Sequence, residues 1–327
     1  MSKTRIGIVG YGNVGRGAAL AVSATNDMEL KAVFTRRDTE KLRSAGEIDS
    51  SVAVLPVESA ESMVGDIDVM LLCGGSATDL PEQGPLFAKM FNTVDSYDNH
   101  AKIPEYMAAV VAVAKKTTAI ISTGWDPGLF SMMRVLFESS LPDGESYTFW
   151  GEGVSQGHSD AIRRIEGVKH AVQYTIPVKK TIETVRSGQC PVVTTREKHE
   201  RECFVVAESS ADKKTIENTI INMPHYFADY DTKVSFIEED EFAEKHNKMP
   251  HGGMVLRSGK TGDNSQVMEF SLKLESNPEF TGSLIVTYAR AAYRMSQEGL
   301  YGAKTVYDVP LSYLSSTDRD TLIKELL

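Results

Sequence analysis

Short apolar runs alternate with longer amphipathic stretches in the first third of the chain. The apolar runs predict buried strands at residues 5–9, 30–34, 68–73, 91–95 and 119–122. The stretches at about 13–23 and 103–115 have the periodicity of helices. Because repeated strand–helix units favour parallel strands with helices on both faces, this region predicts an α/β, doubly wound parallel sheet.

The hydrophobic pattern changes after about Gly124. Apolar and polar residues now alternate, and strands are predicted at residues 173–176, 202–206, 233–237 and 266–274. Such runs are typical of a mixed or antiparallel sheet with one covered face. A long stretch rich in Ala and Arg, residues 281–297, then predicts a helix. We therefore expect a second, α+β domain with a mixed sheet.

Composition places the chain among ordinary globular proteins. It has 327 residues, which suggests about two domains, and 41% hydrophobic and 24% charged residues. The 35 basic and 45 acidic residues give a net charge of −10 without a basic run, so no nucleic-acid partner is expected. Apolar runs such as 108–114 are far shorter than the ~20 residues of a membrane span, so no membrane association is expected.

The N-terminal region and the cysteines indicate the compartment. A strand begins by Arg5, and the region before it has no signal-peptide pattern. Cys73, Cys190 and Cys203 are odd in number and lack metal-ligand spacing. The sequence therefore predicts reduced thiols, a cytoplasmic protein and no metal site.

A glycine fingerprint directly follows the first strand and opens the first helix. It predicts a Rossmann-type dinucleotide site, with a tight turn at Gly10, close backbone approach at Gly12 and helix packing at Gly15. The diphosphate would lie at the helix N-terminus, where free N–H groups point. The alternative is a plain glycine-rich turn. The residues predicted to bind the cofactor here are Gly10, Tyr11, Gly12, Asn13, Val14 and Gly15.

The end of the second strand indicates which dinucleotide binds. An NAD site commonly has an acidic residue here, whereas this chain has Thr35, Arg36 and Arg37. A guanidinium matches a 2′-phosphate, which a carboxylate would repel. The sequence thus predicts NADP. Asp38, one residue further on, is the observation against it, and a solvated basic loop is the alternative.

A small-residue run ends the apolar strand at 68–73. In a doubly wound sheet, backbone at this strand end lies beside the cofactor. We predict that it faces the nicotinamide ribose; the alternative is a simple turn after a buried strand. The residues of this run are Cys73, Gly74, Gly75 and Ser76.

Two further strand ends carry acidic residues, Asp98 within 94–100 and Asp126 within 122–128. Two carboxylates near the cofactor could bind an ammonium group and accept its proton before hydride leaves the adjacent carbon. The alternative is that Asp98 caps a helix and Asp126 caps the turn before Pro127, since Asp is common at both positions.

Several runs together resemble one protein family, that of meso-diaminopimelate D-dehydrogenase. The resemblance extends in order from the first strand to the C-terminal segment. Its most specific parts are the runs Trp-Asp-Pro-Gly and Ser-Gln-Gly-His-Ser-Asp. The runs lie at residues 10–15, 34–37, 73–79, 95–100, 122–128, 149–151, 155–160 and 249–253.

The resemblance implies an activity and an assembly. It implies NADP-dependent, reversible oxidative deamination of the D-centre of meso-2,6-diaminopimelate, giving L-2-amino-6-oxopimelate, ammonia and NADPH. It also implies a role in lysine and diaminopimelate biosynthesis and a homodimer. The expected organisation is a dinucleotide-binding domain at 1–124, a substrate-binding and dimerisation domain at 125–297, and a C-terminal segment at 298–327 that returns to the dinucleotide domain.

The resemblance also implies residue roles. Asp98 and Asp126 would be the catalytic carboxylates at the reacting amine. The implied substrate-binding residues are Trp125, Trp150, Gln156, Gly157, Asp160, Thr175, Arg201, His251 and Asn277. A substrate with two carboxylates and two amines needs both cationic or hydroxyl donors and acids, and this set supplies both.

Without the resemblance, blander interpretations stay open. Arg201 could form a surface ion pair, His251 could lie in a turn, and the two tryptophans could be core residues. For the whole chain, the alternatives are another Rossmann-type NADP reductase, such as dihydrodipicolinate reductase, or a non-enzymatic NADP-binding regulator. An acylating dehydrogenase would need a nucleophilic cysteine.

Overall fold

A computed structural model describes residues 3–327 of the chain. In chain order the strands are β1 (Thr4–Val9), β2 (Met28–Thr35), β3 (Ala53–Pro56), β4 (Val69–Leu72), β5 (Asn92–Asp95), β6 (Thr118–Ile120), β7 (Gly144–Trp150), β8 (Gly153–Val154), β9 (Val168–Pro177), β10 (His199–Ala207), β11 (Asp231–Phe236), β12 (His251–Thr261), β13 (Asn264–Leu274) and β14 (Gly302–Lys304). The helices are α1 (Asn13–Ser23), α2 (Thr39–Ser44), α3 (Leu80–Ala88), α4 (Ile103–Val113), α5 (Leu129–Ser140), α6 (Gln156–Arg163), α7 (Lys179–Arg186), α8 (Thr195–Lys198), α9 (Lys213–Ile221), α10 (Glu239–Lys245), α11 (Asn277–Gln297), α12 (Leu311–Leu314) and α13 (Arg319–Leu326).

The chain divides into two compact units. Unit 1 comprises Met1–Met132 and Pro278–Leu327, and unit 2 comprises Met133–Asn277. These bounds differ from the expected domain bounds at 124/125 and 297/298, because residues 125–132 and nearly all of α11 lie in unit 1.

Unit 1 is built on a parallel sheet with the strand order β14-β6-β5-β4-β1-β2-β3. Adjacent residues of β4 face opposite sides: Leu71 lies in one hydrophobic cluster, and Met70 and Leu72 lie in the other. All of β4 is buried. Helices cover both faces, which explains the uninterrupted apolar strand runs and confirms the predicted doubly wound sheet.

Close backbone packing places α11 against α1 in unit 1. A Cβ on Gly17 would lie 2.6 Å from Glu279 Cα, and one on Gly282 would lie 2.4 Å from Ala18 N. Arg290 on α11 also pairs with Asp27, which precedes β2, at 2.5 Å. The Ala-rich pattern predicted the helix, but these contacts decide which unit it belongs to.

Unit 2 contains a mixed sheet and an antiparallel sheet. The mixed sheet has the order β11-β10-β9-β8, with β10 and β11 parallel and the other pairs antiparallel. The second sheet has the order β13-β12-β7. The predicted α+β part with a mixed sheet is therefore confirmed.

Three strands of unit 2, β7, β8 and β12, were not among the predicted ones. β12 begins at His251 and passes through Gly252 and Gly253, whose φ angles are +152° and +150°. A Cβ on either glycine would lie within 2.3 Å of a carbonyl oxygen of a neighbouring strand. The two glycines therefore allow close strand pairing, and the interpretation of His251 as a turn residue was wrong.

Within residues 3–327, no helix combines the length and the apolar character needed to cross a bilayer.

Candidate active site

The turn between β1 and α1 has the geometry of a dinucleotide cradle. Gly10 has a φ of +88°, which favours glycine. A Cβ on Gly15 would lie 2.1 Å from Gly10 O, so only glycine allows the helix to start so close to the strand. The space beside Gly12 is open to 4 Å, which leaves room for a diphosphate at the helix N-terminus. The residues present therefore fit a dinucleotide.

Two exposed guanidiniums follow β2. Arg36 pairs with Asp79 at 3.0 Å, and Arg37 donates to the carbonyl oxygen of Tyr11 in the glycine turn. Thr35 is buried and its Oγ1 accepts a hydrogen bond from Arg37 N at 3.0 Å, so it shapes this loop.

Asp38 has a different role from ribose binding. Its Oδ1 accepts from Glu40 N at 3.0 Å and Lys41 N at 3.1 Å, and it caps α2. A carboxylate used as an N-cap points at its own helix. The observation that argued against NADP is thus explained by local helix capping.

The loop after β4 contacts the loop after β5. Asp98 N donates to Ser76 Oγ at 2.9 Å, and Gly75 N donates to Asp79 Oδ2 at 2.9 Å. The backbone of Cys73 is hydrogen-bonded to β1 through Val9 O. Burial raises the pKa of the Cys73 thiol to about 12, so this thiol stays protonated near neutral pH.

The loops that contain Asp98 and Asp126 follow neighbouring strands, β5 and β6. Asp98 is exposed. The N-cap of the short helical turn at His100–Lys102 is Asn99, and the N-cap of α4 is Lys102, so the helix-cap interpretation of Asp98 was wrong. Asp126 is partly buried and precedes Pro127 through a cis peptide bond. Trp125 is 8% exposed and packs edge-on against Phe130 at 5.2 Å.

Unit 2 contains a buried guanidinium, that of Arg201 on β10. Arg201 is 7% exposed, and it lies opposite Thr175 of β9 in the strand register. Its Nη1 donates to Thr175 Oγ1, and its Cζ lies 3.9 Å from the centre of the Tyr230 ring. Within residues 3–327, its Nε has no hydrogen-bond partner and no carboxylate pairs with it. The interpretation of Arg201 as a surface ion pair was therefore wrong.

The positive charge of Arg201 contributes to the pKa of three nearby histidines. Burial, together with this charge, lowers the pKa of His158 to about 4 and that of His199 to about 3. Burial and the same charge lower the pKa of His251. All three rings are therefore neutral near pH 7, and the region combines a buried cation with neutral donors and acceptors. Such a region is suited to a carboxylate ligand.

Other predicted substrate residues of unit 2 surround β12. Gln156 Nε2 lies 2.9 Å from Met249 Sδ, and Asn277 N donates to Met249 O at 3.0 Å. Trp150 is 39% exposed and stacks on His199 at 5.3 Å.

The remaining two predicted residues are on α6, near its N-terminus. Gly157 is exposed, and a Cβ there would meet nothing within 4 Å. Asp160 is exposed and pairs with Arg163 one helical turn later.

Comparisons with known proteins indicate the family to which the chain belongs. The family profile described as "Diaminopimelic acid dehydrogenase C-terminal domain" matches residues 124–276. A meso-diaminopimelate D-dehydrogenase of Lysinibacillus sphaericus is 60% identical over 330 residues, covering 100% of both chains. The chain belongs to the meso-diaminopimelate D-dehydrogenase family. It is therefore an oxidoreductase, and the resemblance stated from its motifs is confirmed.

Solved structures of related dehydrogenases show the same fold. A multiply substituted meso-diaminopimelate dehydrogenase from Clostridium tetani, solved with DAP, has 53% identity and a TM-score of 0.93, and the match covers 99% of this chain and 100% of that one. An engineered D-amino acid dehydrogenase bound to NADP+ has 42% identity and a TM-score of 0.85, with 100% of both chains covered.

Sequence reasoning missed three polar residues of this dehydrogenase that lie beside predicted ones. His199 Nε2 accepts from Trp150 N at 2.8 Å, and Gln173 is fully buried with its Nε2 3.5 Å from Thr175 Oγ1. Asp95 ends β5 and is 1% exposed. For Asp95 a signal was present, because an acidic residue ends a predicted apolar strand; His199 and Gln173 depend on strand register.

Proposed function

We propose that the chain catalyses the reversible, NADP-dependent oxidative deamination of the D-centre of meso-2,6-diaminopimelate. With one water, the substrate and NADP+ give L-2-amino-6-oxopimelate, an ammonium ion, NADPH and a proton. Full-length relatives that are named for this activity support the proposal, as does a similar structure that contains DAP.

The observation that carries the proposal is the buried guanidinium of Arg201. A buried cation without an anionic partner is costly in free energy, and a bound carboxylate removes that cost. Thr175, which Arg201 already contacts, and His251 add a hydroxyl and a ring nitrogen for the same ligand. We propose that these residues bind a carboxylate of the substrate, with Gln156, Gly157, Asn277 and Trp150 completing this part of the site and Asp160 binding an ammonium group.

NADP fits the turn after β1 and the basic loop after β2. When bound, it accepts the hydride from the D-centre carbon. The diphosphate is held by Gly10, Tyr11, Gly12, Asn13, Val14 and Gly15. The 2′-phosphate is held by Arg36 and Arg37, whose loop is shaped by Thr35. The nicotinamide ribose is held by residues 73–76. The NADP+-bound relative supports this assignment.

Asp98 and Asp126 are proposed to act on the reacting amine. An ammonium group must lose a proton before its carbon can be oxidised, and a carboxylate is a suitable acceptor. Asp98 is exposed and available, and its loop is held by the bond to Ser76. Trp125, which is adjacent to Asp126 and packed against Phe130, forms an apolar wall beside that carboxylate.

This assignment gives each unit a role, and the resemblance to the family supports an assembly. Unit 1, which contains Asp98 and Asp126, would bind the dinucleotide, and unit 2 would supply the residues proposed to bind a substrate carboxylate. The C-terminal segment completes unit 1 through the pairing of β14 with β6. We propose a cytoplasmic homodimer that acts in lysine and diaminopimelate biosynthesis and has no nucleic-acid or membrane partner.

One assay tests the reaction. Purified protein is incubated with meso-diaminopimelate and NADP+, and NADPH is followed by its absorbance. We expect turnover with the meso isomer and a lower rate with NAD+. The LL-isomer, which has no D-centre, is the negative control, and the DD-isomer tests whether the distal centre must be L.

The same assay separates the alternatives. A non-enzymatic regulator would bind NADPH without turnover, and a different reductase would leave diaminopimelate unchanged. Burial raises the pKa of both Cys73 and Cys203 to about 12, which disfavours either thiol as the nucleophile of an acylating dehydrogenase.

A further inference from the structure

Asp95 is a buried carboxylate to which the proposed reaction assigns no role. Its Oδ1 accepts from Tyr97 N at 2.9 Å and from Ser122 N at 3.1 Å. Its Oδ2 accepts from Tyr106 Oη at 2.7 Å. Burial raises the pKa of Asp95, and the three donors oppose that rise. The free-energy cost of burying a carboxylate has to be offset by its hydrogen bonds.

The bonds of Asp95 join the two loops that contain the proposed catalytic carboxylates. Tyr97 immediately precedes Asp98, and Ser122 belongs to the loop that leads to Asp126. The backbone oxygen of Asp95 adds two more links, because it accepts from both N and Oγ1 of Thr123 at 2.9 Å. One residue therefore holds the first residues of both loops.

The residue that donates to Asp95 from the second loop, Ser122, has an uncommon backbone conformation. Ser122 is buried and has a φ of 57°, which is uncommon for a residue with a side chain. Its Oγ has no hydrogen-bond partner within residues 3–327, so its side chain does not hold this conformation through a hydrogen bond. The bond from Ser122 N to Asp95 Oδ1, together with the bonds from Thr123 to the Asp95 backbone oxygen, holds this part of the loop.

Tyr106 on α4 closes the other side of Asp95. Its ring stacks on Tyr97 with centroids 4.2 Å apart. A Cβ on Gly84 would lie 2.0 Å from Tyr106 Oη, so the glycine on α3 makes room for this hydroxyl. The contact to Oδ2 is therefore built by two helices and does not depend on a mobile surface group.

We propose that Asp95 is a positioning residue that fixes the Asp98 and Asp126 loops for proton removal from the substrate amine. This inference rests on the proposed function. It assigns Asp95 no contact with substrate or cofactor; Asp95 acts through the backbone of the loops that it anchors.

The test compares Asp95→Ala and Tyr106→Phe with a matched control, Asp68→Ala. Asp68 also accepts three hydrogen bonds, all from Arg5. It precedes β4, however, and so lies at the N-terminal ends of the strands, whereas Asp95 lies at their C-terminal ends. We expect Asp95→Ala to lower kcat about 100-fold, since misplacement by about 1 Å can cost this much. Tyr106→Phe keeps the carboxylate and is expected to lower kcat about fivefold. Asp68→Ala is expected to lower Tm while kcat stays at the wild-type value.

Two readouts separate positioning from mere stability. With meso-diaminopimelate deuterated at the D-centre, we expect a larger isotope effect on kcat in Asp95→Ala and Tyr106→Phe than in the wild type, with KM for NADP+ within about twofold. If both variants show only a lower Tm, with wild-type kcat and isotope effect, the proposal is wrong. Should Asp95→Ala fail to fold, Tyr106→Phe gives the same decision.

A fluorescence measurement keeps this inference separate from the proposed function. The chain has two tryptophans, so a Trp150→Phe background leaves Trp125, in the Asp126 loop, as the reporter. We expect acrylamide to quench Trp125 about three times more strongly when Asp95→Ala is added, because the loop loses the bond from Ser122 N to the Asp95 side chain. Unchanged quenching would overturn the anchoring inference, even if wild-type protein proved inactive on diaminopimelate. Inactive wild-type protein with increased quenching would overturn only the reaction.

Discussion

The two units differ in how each positions its own candidate binding residues. In unit 1 the residues belong to contiguous runs at strand ends, and backbone groups and exposed cations dominate. In unit 2 they come from separate strands that meet by register, as Arg201 and Thr175 do, and the key cation is buried. A nucleotide cradle is therefore built by residues close together in the sequence, whereas a carboxylate site of this kind is built by residues that only the tertiary structure brings together.

The electrostatic cost differs in the same way. Arg36 has 68% of its side chain exposed, so its charge is solvated without a ligand. Arg201 is 7% exposed and has only neutral partners among the described residues. Replacement of a residue in unit 2 should therefore change activity more sharply than replacement of one basic residue in unit 1.

The largest effect is expected for Arg201→Met. We expect kcat/KM for meso-diaminopimelate to fall about 1,000-fold, because loss of one partner of a buried charged contact costs about 2–5 kcal/mol. The Kd for NADPH should not change. Since the variant removes an uncompensated buried charge, its Tm should equal or exceed that of the wild type.

Steady-state kinetics, NADPH titration and thermal melts measure these three quantities. Arg196→Met is the matched control, because Arg196 is exposed and pairs with Asp231 in the same unit. A kcat/KM within tenfold of the wild-type value in Arg201→Met would contradict the carboxylate assignment.

Asp98→Asn and Asp126→Asn test the reacting end of unit 1. Each keeps the side-chain shape but removes the proton acceptor, so kcat/KM should fall about 100-fold while NADPH binding persists. Asp49→Asn, which changes an exposed loop carboxylate of the same unit, is the control. Wild-type turnover in both variants would refute proton removal by these residues.

Arg36→Ala and Arg37→Ala test whether the exposed cations of unit 1 bind the 2′-phosphate of the cofactor. Loss of a hydrogen bond to a charged phosphate costs about 1.5–3 kcal/mol, so Kd for NADPH should rise about 10- to 100-fold while Kd for NADH changes little. Fluorescence titrations measure both constants, and Lys41→Ala in α2 is the control. An unchanged preference for the phosphorylated cofactor would mean that other groups select it.

The last effect concerns stability and its dependence on pH, through His199. Its folded pKa of about 3 lies below the ordinary 6.5, so the unfolded chain takes up the proton first as pH falls. Stability from this group is present above about pH 6.5 and is lost towards pH 3, by up to about 1.4 kcal/mol per pH unit. His199→Gln removes the titration and can still accept from Trp150 N.

Thermal melts between about pH 4.5 and pH 7.5 measure this dependence. We expect a flatter dependence of Tm on pH in His199→Gln than in the wild type. His100→Gln, at an exposed position, should keep the wild-type slope. Equal slopes in all three proteins would show that His199 does not titrate differently in the two states.

The cradle and the parallel sheet could be predicted from local signals. The fingerprint at residues 10–15 depends on glycine conformations that no other residue replaces, and Gly10 and Gly15 have the expected geometry. The strands of unit 1 are buried on both faces, so their apolar runs are continuous and easy to recognise. The substrate residues of unit 2, by contrast, followed from resemblance to a family.

Strands β7 and β12 and the unit to which α11 belongs could not be read from the pattern. β12 starts with glycines, which weaken a strand signal, and it forms because two neighbouring strands approach those glycines closely. The position of α11 depends on contacts between Gly17 and Gly282 and on the pairing of Arg290 with Asp27, far apart in the chain.

Sequence alone determined the turn that holds a diphosphate, the basic loop beside it and the alternation of buried strands and helices that builds the parallel sheet. Each depends on backbone preferences and on neighbours a few residues away. Tertiary structure decided that Asp38 caps a helix, that Arg201 is buried with no carboxylate partner among the described residues, and that Asp95 joins two loops. These facts depend on groups separated by long stretches of chain, whose free energies are fixed by burial and hydrogen bonding in the folded state.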